Sequence, residues 1–402
     1  MNGPQVITLG CRLNIAESAI MAELARDQHG LIIVNSCAVT NEAVRQTRQA
    51  IRRAKRARPG AQVIVTGCAA QVEPQTFAAM PEVAAVLPNG AKLDPASFGG
   101  QAPAPSVEAV GADDSRARAF VAVQNGCDHR CTFCIIPYGR GASRSVPAGL
   151  VVDRIKALVD QGYQEVVLTG VDVTSYGPDL PGTPTLGLLV ERILRLVPGL
   201  PRLRLSSLDC IEIDERLFDL ATGEPRFMPH LHMSFQAGDD LILKRMKRRH
   251  SRAQAIATVE RLKARRPEIA IGADLIAGFP TETDAMFHNT LALIEACDVV
   301  MGHIFPFSPK AGTPAARMPQ VPPQIARERA RALRAASTRR RSAWLQSLVG
   351  STQRVLVERD GLNGHAESFA PVRVPGAGEA AGRIVACRVE RIEDGVLIGE
   401  AC

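Results

Sequence analysis

Three times near the start of the chain, a short apolar run closes on a small residue followed by a cysteine: Leu9-Gly10-Cys11, Asn35-Ser36-Cys37 and Thr66-Gly67-Cys68. The runs, residues 6–9, 31–35 and 62–66, have strand character, and 14–28 and 41–58 between them have helical composition and length. A short helix over 74–80 and a strand over 82–87 continue the alternation. Strands alternating with helices predict a parallel sheet. In such a sheet, ligands gather at the carboxyl ends of the strands. One cysteine there is ordinarily a core residue. Three at matching ends predict a common ligand-holding point.

The chain has 402 residues, enough for two or three domains, and 46% are apolar, which supports real cores. Aromatic residues are 4%, too few for broad base-stacking platforms. The net charge of +7 suits a polyanion such as RNA and is equally compatible with plain solubility. The first residues carry no basic, apolar leader, and no apolar run approaches the roughly 18 residues of a membrane span. A cytoplasmic protein without membrane contact is expected. Its ten cysteines are then read as thiols that bind metal, catalyse or sit in cores, rather than as disulfides.

The fold expected is α/β in three parts. An open parallel α/β domain spans 1–90, and a Gly-, Ala- and Pro-rich linker spans 91–117. A second α/β stretch, 118–317, has strands at 120–124, 165–168, 203–206, 231–235, 269–276 and 299–305, with helices such as 150–161 and 185–196 between them. Six such units predict a full or partial (β/α) barrel with its site at the strand C-termini. An Arg-rich helical connection follows over 318–349. A short β-barrel over 350–402 is expected from runs at 354–358, 381–390 and 395–399.

The strongest chemical signal is Cys127-Asp128-His129-Arg130-Cys131-Thr132-Phe133-Cys134, directly after a predicted strand. Three thiolates this close can hold one metal centre, and iron–sulfur clusters are held by thiolates. A four-iron cluster on three cysteines leaves one iron open to a substrate or cofactor. Zinc would need a fourth ligand, for which His129 is nearest. Structural zinc sites usually pair two short clusters, and the chain has no second one.

The spacing, with Phe133 before the last cysteine, resembles the radical S-adenosylmethionine superfamily. With Cys11, Cys37 and Cys68 upstream and the small β-segment at the end, the whole chain resembles the methylthiotransferases of that superfamily. The resemblance is carried by Gln124-Asn125-Gly126-Cys127 through Ile135-Ile136-Pro137-Tyr138-Gly139-Arg140-Gly141, by Pro229-His230-Leu231-His232-Met233-Ser234-Phe235-Gln236-Ala237-Gly238, and by Ala273-Asp274-Leu275-Ile276-Ala277-Gly278-Phe279-Pro280-Thr281-Glu282-Thr283. It implies two 4Fe-4S clusters and S-adenosyl-L-methionine. Cys127, Cys131 and Cys134 are implied for the cluster that cleaves S-adenosylmethionine to a deoxyadenosyl radical. Cys11, Cys37 and Cys68 are implied for an auxiliary cluster bearing the sulfur to be transferred. The C-terminal segment is similar to the RNA-binding TRAM barrel.

Within the family, Thr8-Leu9-Gly10-Cys11-Arg12-Leu13-Asn14 and Asn35-Ser36-Cys37-Ala38-Val39-Thr40-Asn41 look most like the branch that methylthiolates N6-threonylcarbamoyladenosine beside the tRNA anticodon. The isopentenyladenosine branch tends to carry Gln-Met in place of Arg12-Leu13. That branch, and one modifying a ribosomal-protein side chain, are the alternatives. A non-catalytic iron–sulfur RNA-binding or sensor protein is the alternative of another class. The resemblance implies tRNA as partner and a flavodoxin- or ferredoxin-type electron donor; no residue marks the sulfur source.

Gly170 and Asp172 follow a predicted strand. The glycine lets a cofactor approach the backbone, and the resemblance implies that both lie near S-adenosylmethionine, whose ammonium or ribose Asp172 could bond, unless it simply caps a helix. Ser206, Ser207, Gln236 and Asp274 also sit at or near strand ends and are expected to line the same cleft; His232 is equally readable as a core histidine. Residues 41–58, 241–266 and 325–348 read as Arg-rich helices, fit for phosphate contacts or for a solvated face. From 351 to 402 there are six Arg and no Lys against eight acidic residues, so the helices are expected to carry more RNA contact than the acidic barrel.

Overall fold

A computed structural model describes residues 3–98 and 116–402. Most of the expected linker, 99–115, lies outside the described residues, as do Met1 and Asn2. The N-terminal strands Gln5–Thr8, Leu31–Ser36, Gln62–Gly67 and Ala85–Val86 lie side by side, all parallel. Every residue of Leu31–Ser36 is buried, as a parallel strand covered on both faces must be. The strand expected over 82–87 shrinks to Ala85–Val86 because the chain is still turning at Val83, whose N–H donates to Met80 C=O at 3.0 Å. The helix Asn41–Ala57 starts where the Thr40 hydroxyl accepts from Ala43 N–H at 3.1 Å. It turns Val44, Thr47, Ala50, Ile51 and Ala54 inward and most of its arginines outward.

Six parallel strands form the centre in two groups of three. Ala119–Ala122, Glu165–Thr169 and Arg202–Leu205 make one; His230–Gln236, Ala270–Ala277 and Val299–Pro306 make the other. Single bridges, Leu203 to Phe227 and Leu208 to Met233, join them into an open barrel. Val166, Leu168, Leu203, Leu205, Leu231 and Met233 pack outward in one core with the surrounding helices. Period-two alternation therefore turns Glu165, Arg204, His232 and Asp274 to the opposite, inner face.

The basic stretch read as one helix over 241–266 is two, Asp240–Met246 and Arg252–Arg265. Lys247 breaks it in the left-handed region, and Ser251 with Gln254 restarts it through a capping box. The helix Pro323–Ser347 both connects and covers. It buries Ala326, Ala330, Leu333 and Ala336, and its Ser337 hydroxyl accepts from Gly302 N–H at 3.0 Å.

The C-terminal segment closes into a five-stranded barrel, Thr352–Val357, Asn363–Ala366, Pro371–Arg373, Val396–Ala401 and Ile384–Glu393 in spatial order. Asn363–Ala366 and Pro371–Arg373 gave no strand signal because they are short and carry Gly, His and Pro. This barrel is fixed to the central one by a buried charge cluster. Glu165 faces Arg204 at 2.9 Å, Arg118 at 3.0 Å and Arg202 at 3.6 Å. Arg204 then donates to the carbonyls of Glu367 and Ala366, and Arg202 to that of Arg354. Phe369 is wedged between the rings of His230 and His365 with Arg204 and Arg118 over its face.

Burial alone would raise the Glu165 pKa, but the three guanidiniums bring it down from 4.5 to about 2. A depressed carboxylate contributes stability above its unfolded-state pKa and loses it as pH falls through the folded value. The metal-free protein is therefore expected to lose stability between pH 4.5 and about 2, read as a falling denaturant midpoint. Glu165→Gln should flatten that slope and cost about 3–5 kcal/mol at neutral pH, because three buried cations lose their partner. An unchanged slope would show that other carboxylates govern the acid limb.

Candidate active site

The first three cysteines stand where parallel strands end. Cys11 precedes the helix Arg12–Leu24, Cys37 follows Leu31–Ser36, and Cys68 opens the short helix Cys68–Val72 after Gln62–Gly67. Gly10 and Gly67, each just before a cysteine, have φ of 98° and 91°. A Cβ on Gly10 would stand 2.8 Å from Cys37 Sγ, and one on Gly67 would stand 2.5 Å from Ser36 C=O. Side chains are thus excluded where the thiols converge. Burial pushes the Cys37 thiol up to about 11, and the neighbouring Cys11 and Cys68 add to the shift.

The second set lies on a loop between the strand Gln124–Asn125 and the helix Ile136–Arg140. A small hairpin with Arg144–Ser145 closes the loop, which the sequence did not suggest. Cys127 N–H donates to Gly141 C=O, and Cys134 N–H to Cys131 C=O, both at 3.1 Å. Burial pushes Cys134 and Cys127 up to about 12; Asp172 adds to the shift at Cys127. All six thiols are free of disulfides. A donor set of two thiol triplets fits iron–sulfur clusters, whose binding would displace these protons.

The two sets face each other. Gly139 brings its backbone against Cys68, where an added Cβ would lie 3.2 Å from Cys68 Cβ, and Cys134 senses the charge of Cys68. A buried ion network holds them together. Glu17, on the helix that starts beside Cys11, meets Arg140 at 2.8 Å and Lys92 at 2.5 Å. Arg140 also donates to the side-chain oxygens of Asn14 and Asn125. Burial opposes the charges of Glu17 and Arg140, yet the pairing wins: Glu17 is lowered and Arg140 raised.

Gly170 ends the strand Glu165–Thr169 with its Cα against Gln124; an added Cβ would stand 2.7 Å from Gln124 C=O. Asp172 lies at the cysteine loop. Cys127 Sγ donates to its Oδ2 at 3.6 Å, Ser175 Oγ donates to it at 2.9 Å, and His129 Nε2 is 2.9 Å away. It precedes a short 3-10 turn, but its side chain does not cap it. Burial would raise Asp172, but His129 holds it below the usual carboxylate range, and the same contact raises His129. Ser206 is buried with a hydroxyl that has no hydrogen-bond partner, and Ser207 beside it is half-buried. Gln236 ends its strand at φ 66°. Asp274 belongs to a separate group inside the barrel. One of its oxygens lies 3.1 Å from His232 Nε2 and 3.4 Å from His303 Nδ1.

Several site residues escaped the sequence reading. Arg248, in a stretch read as fit for phosphate contacts or for a solvated face, turns inward to Cys131 Sγ (3.8 Å) and Asp209 (2.8 Å). Arg249 binds Asp209 and Glu212. Glu17 and Lys92 gave no signal either, and Arg140 stood only in a motif without a role, since partners distant in sequence define them.

Comparison with known proteins agrees with this geometry. Residues 121–294 match the family described as Radical SAM superfamily, 4–88 the uncharacterized protein family UPF0004, and 346–402 the TRAM domain. A threonylcarbamoyladenosine tRNA methylthiotransferase MtaB of Rickettsia prowazekii is 47% identical, covering 98% of this chain and 96% of the relative. The Chlamydia pneumoniae protein of that name is 34% identical over 98% and 97%. A tRNA-2-methylthio-N(6)-dimethylallyladenosine synthase of Cereibacter sphaeroides is 31% identical over 98% and 97%. In fold, the chain resembles the radical S-adenosylmethionine methyltransferase TsrM of Kitasatospora setae, at TM-score 0.54 and 14% identity over 79% of this chain and 77% of that one. The chain belongs to the radical S-adenosylmethionine methylthiotransferase family.

Gly10→Ala is expected to push a methyl into Cys37 and abolish iron binding at the first set alone. Iron after anaerobic reconstitution should fall from about eight per chain to about four. Retention of about eight would show that the Gly10 turn does not shape that set.

Proposed function

We infer that this chain is an enzyme that converts N6-threonylcarbamoyladenosine in tRNA to its 2-methylthio derivative. The observation that carries this is the pair of thiol triplets, one at the strand ends of the N-terminal parallel sheet and one on the loop after Gln124–Asn125, meeting where Gly139 packs on Cys68. The names of the relatives just described supply the nucleoside. Cys127, Cys131 and Cys134 would hold one 4Fe-4S cluster, and Cys11, Cys37 and Cys68 the other. When bound, the clusters and S-adenosyl-L-methionine supply the methyl group, the sulfur and the radical that activates an aromatic C–H bond.

The chain supplies position and electrostatics. Gly170 lets the strand end pack against Gln124, which sets the backbone beside the cofactor cleft. Asp172, ionised by His129, accepts hydrogen bonds from the cofactor's ammonium or ribose hydroxyls. Ser206, with its unpartnered hydroxyl, Ser207 and Gln236 complete the lining, while Asp274 stands apart with His232 and His303. Arg248 donates toward Cys131 sulfur, and such bonds stabilise the reduced state of a cluster.

Exposed Arg52, Arg53 and Arg56 on Asn41–Ala57, with Arg327, Arg331 and Arg339 on Pro323–Ser347, are the RNA-phosphate contacts we favour. The TRAM barrel adds a second surface. No helix among the described residues is long and apolar enough to cross a membrane. We assign the activity to the cytoplasm, where thiols stay reduced, with a flavodoxin- or ferredoxin-type protein as electron donor.

Mass spectrometry of nucleosides from total tRNA tests the reading. Deleting the gene should remove 2-methylthio-N6-threonylcarbamoyladenosine, and the wild-type gene should restore it. The triple substitution Cys11→Ala, Cys37→Ala and Cys68→Ala should not restore it, while its protein still releases deoxyadenosine. Unchanged tRNA in the deletion strain would sink the assignment. Asp172→Asn should weaken S-adenosylmethionine binding by about tenfold in equilibrium dialysis; unaltered affinity would remove Asp172 from the cofactor site.

A further inference from the structure

Inside the central barrel, nearly every charge has a partner from the chain itself. Arg118 serves Glu165 and Glu358, Arg204 serves Glu165, and Asp274 is shared by His232 and His303. Arg12 is different. It directly follows Cys11, and its guanidinium turns inward among Arg118, Arg204, Glu165 and Asp274. It stands 5.7 Å from the centre of the Phe369 ring. Among the described residues it makes no ion pair and no hydrogen bond. An unpaired guanidinium in such a place is costly unless something outside the chain pairs with it.

The surroundings suit an anion. The two nearest carboxylates are already engaged by other cations or imidazoles. A cleft of about 330 Å³ between Val299–Pro306, Pro323–Ser347 and the terminal barrel is lined by His303, His365 and Phe369, the last of which Arg12 also touches.

We propose that Arg12 receives the α-carboxylate of the threonylcarbamoyl group and so selects the substrate. The inference rests on the substrate read above and deepens it. The reacting carbon, C2 of the adenine, must face the sulfur-bearing set that includes Cys11. C2 and C6 of the adenine both flank N1, so the N6 substituent lies on the same edge as the reacting carbon and stays within reach of a side chain next to Cys11. The α-carboxylate is the only full negative charge on that substituent. The planar guanidinium fork matches it in a two-point bond. A hydrocarbon substituent at N6 would leave the half-buried guanidinium unpaired, so Arg12 also disfavours prenylated adenosines.

The test uses the full, reconstituted chain and an anticodon stem-loop RNA carrying N6-threonylcarbamoyladenosine or its neutral α-methyl ester. The wild type should bind and convert the acid at least about tenfold better than the ester, in both Kd and kcat/KM. Arg12→Gln should lose about 10- to 100-fold on the acid and treat acid and ester alike; Arg12→Lys should recover part of the preference. Iron content of each variant is measured because Cys11 is adjacent. If a variant loses iron, the acid-to-ester ratio of the wild type alone decides. Equal handling of acid and ester by the wild type overturns the role of Arg12 while leaving the substrate intact. Conversion of neither RNA overturns the substrate reading, and this assignment with it.

Discussion

The ion network of Glu17, Arg140 and Lys92 is the contact on which the rest of the molecule depends. It buries three charges between the N-terminal sheet and the cysteine loop of the barrel. Each end touches chemistry: Glu17 belongs to the helix that begins after Cys11, and Arg140 closes the helix that follows Cys134. Buried ion pairs add little net stability over an apolar contact, but breaking one is expensive. Their gain is a fixed register. Two thiol triplets on separate sheets can act on one substrate only if their relative position is set, and apolar packing alone tolerates sliding.

A second charge cluster does the same at the opposite end of the barrel. Glu165 gathers three arginines, of which Arg202 and Arg204 pass N–H groups to backbone carbonyls of the terminal barrel and Arg118 pairs with the Glu358 carboxylate. That barrel is thereby a fixed wall, with Phe369 inserted between two histidine rings. The interior thus runs from a thiol-rich mouth to an arginine-rich base. Arg12 connects the two, starting beside Cys11 and ending over Phe369.

The basic residues divide by what faces them. Arg329 meets Glu282, and Arg340 meets Asp298, so part of the helix Pro323–Ser347 spends its charge inside the protein. Arg248 and Arg249 serve the site rather than the surface. The helix Asn41–Ala57 differs because its outer face has few acids, so Arg52, Arg53 and Arg56 stay exposed. Cation counts along the chain overstate an RNA surface wherever the fold supplies internal carboxylates.

The sequence by itself determined the order of strands and helices, the cysteines at the strand ends, the loop of Cys127, Cys131 and Cys134, and the β-rich end. Each is local: a period of two or 3.6, or a spacing within one segment. What lay beyond local pattern was decided only in three dimensions. The break at Lys247 needed the capping geometry of Ser251, and the short strands Asn363–Ala366 and Pro371–Arg373 needed the barrel that pairs them. Asp172 could be ranked beside the cysteines from its strand-end position, whereas Asp274, read by the same rule, lies with His232 and His303. Strand-end position fixes the edge of a sheet but not which neighbour a side chain meets. Glu17 and Glu165 were silent, and Arg12 and Arg140 were legible only as parts of motifs, because an ion pair, or the want of one, is a relation between residues far apart in the chain. The tertiary structure alone supplies that relation.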